Sequence, residues 1–394
     1  MNKNIYIAIF ILAASGLQIS KQLLISTYAD SDSLALLGIF NLIASLFNNL
    51  GILGLGWFSI SLISEWVHDG NVKKINDVQN ILMSSYIYLS PLTFFIIFLV
   101  LGIKDNHLEY ILYAFALVIF GVVNIPISQS DAYGYSKRQF IRAILGIITF
   151  YILLENDVQL LYILIVEALI ILTYAINIKL LKLVSFKKVL FFLKKNIHTI
   201  LQYSISIFLA TLLVYLGRIF ASINLDITDL GLFFFAFIIV SIGDQLQALM
   251  AIILQPIISE LKYRSNDVDI GYKIFKLWIL AIILSASIAV AIYLTFTSIL
   301  YLFPKFSGSQ FFLIPSLILM VVRGSNIWPM YLQLIGLPNI LNKMQILTIL
   351  FYSVGIVFLY IFVENSPMKL IESILIIEAL SLFFAPFIIL RIKS

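Results

Sequence analysis

Apolar runs of about 20 residues recur from one end of this chain to the other, separated only by short polar breaks. Each run matches the length a helix needs to cross the hydrocarbon layer of a bilayer. Spans are expected at roughly 5–27, 34–63, 81–103, 110–130, 140–155, 160–181, 199–225, 230–259, 274–300, 311–335, 344–363 and 370–390. So many runs leave no stretch long or polar enough for a soluble domain. Lipid offers the backbone no hydrogen-bond partner, so only helices or a closed barrel can span it. A barrel would show alternating segments of about ten residues, which this sequence lacks. Composition agrees: 62% of the 394 residues are hydrophobic and 11% charged, against roughly 25% charged in soluble domains. The mean hydropathy is +1.07. The expected fold class is an all-α polytopic membrane protein of about twelve transmembrane helices.

Several chemistries are excluded by what the chain does not contain. It has no cysteine, which removes disulfides, thiolate nucleophiles and cysteine metal sites. His68, His107 and His198 are dispersed and form neither an HExxH pair nor a triad. There is no GxxxxGK[ST] loop for nucleotide phosphates, and "GILGLG" (Gly51 to Gly56) has no strand ahead of it and reads as close helix packing. No cofactor is expected. The net charge of +5 points to no nucleic acid, because the basic residues sort by membrane side. The first run, Ile5 to Thr27, follows Lys3 as a signal peptide would. It is longer than a usual signal core and many spans follow, so it reads as span one.

With both ends in the cytoplasm, 19 of the 25 lysines and arginines fall in inside segments. Lys104, Lys305 and Lys369 fall outside, and Lys21, Arg218 and Arg323 fall within spans. Such an asymmetry over short loops orients a chain. It predicts a multi-pass membrane protein with both termini cytoplasmic.

The longest basic connection, "KLLKLVSFKKVLFFLKKN" (Lys179 to Asn196), lies at the midpoint. It reads either as an amphipathic segment on the inner leaflet or as a topology signal. It divides the chain into six spans at 1–181, a basic linker at 182–198 and six spans at 199–394. The halves echo each other. "LISE" (Leu62 to Glu65) matches "IISE" (Ile257 to Glu260), Gly38 matches Gly231, and Asn48 and Asn49 match Asp244 and Gln245. Lys21 matches Arg218, and "NIPISQSDAYG" (Asn124 to Gly134) echoes "NIWPMYLQLIG" (Asn326 to Gly336). Because each half has an even number of spans, the two repeats run parallel, related by an axis along the membrane normal.

Charged side chains inside the spans are the candidate functional groups, since each costs roughly 2.5–3.5 kcal/mol at mid-bilayer. "LLVYLGRIFASINL" (Leu212 to Leu225) is apolar except for Arg218. Lys21 and Arg218 lie about seven residues, roughly 10 Å, from their outer span ends, within snorkelling reach. Arg323 and Asp244 lie near mid-span; Glu167 and Glu378 lie in outer thirds. Snorkelling, pairing with an acid, and lining a hydrated cavity all remain open. Asp30 and Asp32 in the first outside loop have counterparts in Asp226 and Asp229, so helix capping explains both copies.

Arg218, "DLGLFFFAF" (Asp229 to Phe237) and "LQPIISELKY" (Leu254 to Tyr263), with twelve spans in two halves, resemble the multidrug/oligosaccharidyl-lipid/polysaccharide exporter superfamily. More narrowly, the chain resembles O-antigen flippases of the Wzx type. The resemblance implies a V-shaped bundle whose cleft alternates between the two membrane sides, a transporter and not an enzyme. The substrate implied is an undecaprenyl-diphosphate-linked oligosaccharide carried to the periplasmic leaflet. Arg218, Arg323 and Lys21 would then meet the diphosphate. Asn48, Asn49 and Gln245, with Gln18 and Gln247, would meet sugar hydroxyls. Asp244, Glu167 and Glu378 would bind a coupling cation, H+ or Na+, or form ion pairs. Membrane lipid and polysaccharide assembly proteins are the expected partners. The rivals are a drug or cation antiporter of the same superfamily and a polytopic glycan polymerase.

Overall fold

In the computed structural model the described residues are 3–50, 132–155, 183–264, 267–335, 337–362 and 366–392, with scattered positions between 58 and 88 and between 165 and 170. Ten α-helices and one 3-10 segment are found among them, and no strand. The helices are α1 (Lys3–Tyr28), α2 (Ser31–Leu50), α3 (Ala132–Glu155), α4 (Phe186–Asn224) and α5 (Ile227–Arg264). They continue as α6 (Asp267–Leu302), a 3-10 segment (Pro304–Phe312), α7 (Leu313–Gly324), α8 (Trp328–Leu334), α9 (Pro338–Phe362) and α10 (Pro367–Ile392). The all-α expectation therefore holds. Among the described residues six stretches are long and apolar enough to cross a membrane: Ile9–Tyr28, Phe186–Asn224, Ile227–Met250, Tyr272–Leu302, Pro304–Leu332 and Pro338–Leu359. The expected spans 81–103, 110–130 and 160–181 lie largely or wholly outside the described residues.

Several boundaries differ from the sequence reading, three of them with consequences for the fold. The short span expected at 140–155 begins at Ala132, so Lys137, Arg138 and Arg142 ride on helix. The span expected at 199–225 begins at Phe186 and absorbs most of the basic linker into one 39-residue helix. The span expected at 311–335 is broken: α7 ends at Gly324, and residues 325–327 separate it from α8. Pro329 sits in the first turn of α8, where a missing N–H costs nothing. Backbone groups at the break stay bonded, with Ser325 N–H donating to Val321 O and Asn326 N–H to Arg323 O.

The chain divides into two compact units. One holds Met1–Lys21 and Phe40–Thr211; the other holds Gln22–Ile39 and Leu212–Ser394. Within the first, Phe10 of α1 packs on Tyr133 and Phe140 of α3. Phe58 meets Phe192 and Tyr203 of α4. Tyr88 Oη donates to Val184 O, and Val184 N–H donates to Ser84 Oγ.

The second unit is built around α5. Phe233, Phe234, Phe235 and Phe237 are all buried, though consecutive helical positions point in different directions. A helix buried on every side is the centre of its bundle. Phe235 stacks on Phe306 at 4.6 Å, and Phe233 meets Phe312 edge-on at 5.6 Å, fastening α5 to the 3-10 segment. Glycine sets how near α7 can come: a methyl group at Gly243 would overlap the backbone carbonyl of Met320. By contrast, α6 and α9 expose Leu280, Ile283, Val290, Leu350, Val354 and Phe358, the surface expected against acyl chains.

At one end of this unit the paired aspartates are helix caps. Asp30 Oδ1 accepts from Ser33 N–H at 2.8 Å, and Asp226 Oδ1 accepts from Asp229 N–H at 2.8 Å. These bonds to Ser33 hold the Asp30 carboxyl below the usual carboxylate range. The adjoining end of α1 is closed by Lys305, whose Nζ donates to Thr27 O at 3.0 Å and Ala29 O at 2.6 Å. A cation on the last carbonyls of a helix complements its dipole.

A candidate functional site in the second unit

Four helices bring charge together at one depth. Arg323, in the last turn of α7, is 2% exposed. Its Nη2 donates to Glu378 Oε1 of α10 at 2.5 Å and to Val214 O of α4 at 2.7 Å. Its Nη1 faces both oxygens of Asp244 of α5, at 3.3 and 3.4 Å. The short bond joins two buried groups; the long one reaches a side chain that is 38% exposed. Arg323 is therefore firmly tied to Glu378 and loosely tied to Asp244.

Arg218 stands beside this group on α4. Its guanidinium lies 4.1 Å from the Tyr215 ring centroid and 4.8 Å from that of Phe237. The Phe237 ring also receives Arg323, at 5.4 Å. Aromatic faces carry negative potential, so they hold a cation without neutralising it. Among the described residues no carboxylate comes within ion-pair distance of Arg218; its nearest acceptor is Val214 O at 3.5 Å, a marginal bond. Two guanidinium groups and two carboxylates thus form one cluster, with formal charges that cancel.

Glycine again allows the approach. A methyl group on Gly217 would lie 2.8 Å from Glu378 Oε2 and 3.7 Å from Tyr352 Oη. Both oxygens are buried with no hydrogen-bond partner among the described residues. The sequence reading missed Tyr352, Phe237, Tyr215 and the Val214 carbonyl. An aromatic residue in an apolar span carries no mark that distinguishes it from a lipid-facing one. Gly217, directly before Arg218, was the available signal.

Asp244 opens onto an open-sided cavity of about 190 Å³, lined also by Gln247, Ala248, Asn326, Ile327 and Met330. Gln247 Nε2 donates to Asn326 O at 2.8 Å, which satisfies a carbonyl freed where α7 breaks. The break thus does two things: it makes the wall of the cavity, and it ends α7 one residue beyond Arg323.

The remaining candidates are placed as follows. Gln245 is partly buried on α5, next to Asp244, and Lys21 is partly buried on α1 in the first unit. Asn48 and Asn49 lie on α2, but their side chains fall outside the described residues, as does Glu167 entirely. The side chains of Leu254 to Tyr263 are likewise outside them. Among the described residues no cluster of histidines or carboxylates is suited to a metal ion.

No family model matches this sequence, and no curated protein matches it. Solved structures do. A multidrug resistance MATE family transporter of the MOP superfamily, in an inward-facing conformation, superposes with a TM-score of 0.67 over 98% of this chain and 99% of its own, at 14% identity. A mutant of the Vibrio cholerae MATE transporter VcmN gives 0.69 at 13% identity, covering 99% and 96%. An outward-facing MATE family transporter gives 0.64 at 14% identity, with the same coverage. The likeness spans nearly the whole of each chain and establishes the fold: an all-helical membrane architecture of twelve spans in two repeats.

Proposed function

We propose that this chain is a polytopic transporter that works by alternating access, its two six-span halves, 1–181 and 199–394, rocking about a fixed substrate site. The substrate reading supported best is a drug or other organic cation, exchanged for H+ or Na+. One observation carries it: Asp244, an acid, is the charged member of the cluster that opens onto the cavity. Its contact with Arg323 is long, so an incoming cation can compete for the carboxylate. The fold likeness to multidrug resistance transporters supports the same class.

Arg218 favours a second reading, the undecaprenyl-diphosphate-linked oligosaccharide. A guanidinium held by aromatic rings, with no carboxylate in ion-pair distance among the described residues, is ready to take a phosphate in bidentate fashion. The diphosphate diester would bring two negative charges to the cluster, which proton uptake by both carboxylates, Asp244 and Glu378, would offset. In that reading Gln245, next to Asp244 on α5, extends the headgroup site, and Arg323 positions the carboxylates.

The two readings separate in one pair of assays. Expression in a pump-deficient bacterial strain should raise resistance to cationic dyes, and Asp244→Asn should abolish the gain with protein level unchanged. Surface glycan is measured in the native host. If resistance is absent and Arg218→Ala removes long-chain glycan, the oligosaccharide reading replaces the first. If neither activity responds to either substitution, both fail.

A further inference from the structure

The first third of α4 does not fit inside a bilayer. A helix of 39 residues is roughly 58 Å long, whereas hydrocarbon and headgroups together span about 40–45 Å. The outward face of α4 shows where the boundary falls. From Leu201 through Ile205 to Phe208 the exposed side chains are wholly apolar, while from Phe186 to His198 they mix Lys187, Lys188, Lys194 and Lys195 with apolar groups. The change occurs between His198 and Leu201, within one turn.

The mixture is ordered. Lys187 and Lys194 are seven residues apart, as are Lys188 and Lys195, so each pair shares a face after two turns. Phe186, Leu190 and Ile197 form an exposed apolar stripe beside them, and Phe191, 70% exposed, lies between the lysine pairs. Val189 is buried on the opposite side. Phe186 also meets Tyr88 at 5.5 Å, so the segment is fastened at its start. Lys194 and Lys195 lie within two turns of the apolar boundary, roughly 6–10 Å along the axis. That is the depth of phospholipid phosphates.

We propose that residues 186–198 form a docking surface for anionic phospholipid headgroups, with the four lysines meeting phosphate and the apolar stripe entering the acyl edge. Charge complementarity and direct continuity with the lipid-facing stripe below it commit the surface to lipid. Each lysine at such a surface contributes about five-fold in affinity for anionic lipid.

The test uses the full chain purified in detergent, with thermal unfolding followed on adding phosphatidylglycerol or phosphatidylcholine. Phosphatidylglycerol should raise the midpoint and phosphatidylcholine should not. The gain should vanish in the quadruple variant Lys187→Gln, Lys188→Gln, Lys194→Gln, Lys195→Gln, and shrink in 0.5 M salt, an ionic strength at which screening reaches about 4 Å. Replacing the same four by arginine should retain it, as should Lys273→Gln with Lys276→Gln on α6. If the quadruple glutamine variant keeps the full gain, or phosphatidylcholine stabilises equally, the surface is not a lipid site. Retention of the gain by the arginine variant shows that charge, and not correct insertion alone, is being read. This outcome is independent of which solute is transported.

Discussion

Arg323 shows why a charge in a membrane span needs its surroundings specified. Its guanidinium is nearly inaccessible, yet three acceptors on three different helices meet it. Removing it leaves the Glu378 carboxylate, 1% exposed, without its short partner. Loss of one member of a buried pair typically costs about 3–5 kcal/mol, more than the pair itself contributes. Arg323→Ala should therefore lower the unfolding midpoint sharply in detergent, while Arg323→Met combined with Glu378→Leu should recover most of the loss. If the double variant is as unstable as the single one, the ion pair is not what Arg323 supplies. Asp244→Asn should be mild by the same measure, because that side chain is partly solvated and its contact is long. The sequence identified Arg323, Asp244 and Glu378 as buried ionisable groups from their positions in apolar runs. Which acid takes which base was not legible, since partners 55 and 79 residues apart leave no local pattern.

At the scale of elements, the close crossing of α5 and α7 fixes the cluster. Gly243 lies one position before Asp244 and against the backbone of Met320, three residues before Arg323. Gly243→Val would press on backbone, which cannot swing aside as a side chain can. Overpacking of this kind costs about 1–3 kcal/mol. The variant should unfold at a lower temperature and, on the proposed function, lose dye resistance in parallel with Asp244→Asn. A Gly355→Ala change, whose methyl would meet the Ile377 side chain, should be tolerated better. If both glycine changes behave alike, close backbone approach at Gly243 is not what holds α7 in place. The repeat reading was legible here in part. Asp30 and Asp226 cap α2 and α5 in the same way, as their matched positions suggested. The break between α7 and α8 was not, because an apolar run with two prolines, Pro315 and Pro329, reads equally well as a kinked helix.

For the whole molecule, lysine and arginine placement makes a prediction that the chain is well suited to test. It has no cysteine, so any introduced thiol is the single target of a maleimide. Ser185 and Ser307 are both exposed, one just before α4 and one in the 3-10 segment. In intact cells whose outer barrier has been opened, a membrane-impermeant maleimide should label Ser307→Cys and spare Ser185→Cys. Labelling both at similar rates would overturn the assigned orientation.

What the sequence determined by itself was the class of solvent this chain lives in and which charged residues fall inside its apolar spans. Those follow from length and hydropathy, which act residue by residue along a helix. Tertiary structure decided the rest: Arg323 is consumed by Glu378 and Val214, Asp244 keeps access to a cavity, and Arg218 is held by rings. These outcomes depend on which helix faces meet, and that is set by glycines and phenylalanines brought together from distant parts of the chain.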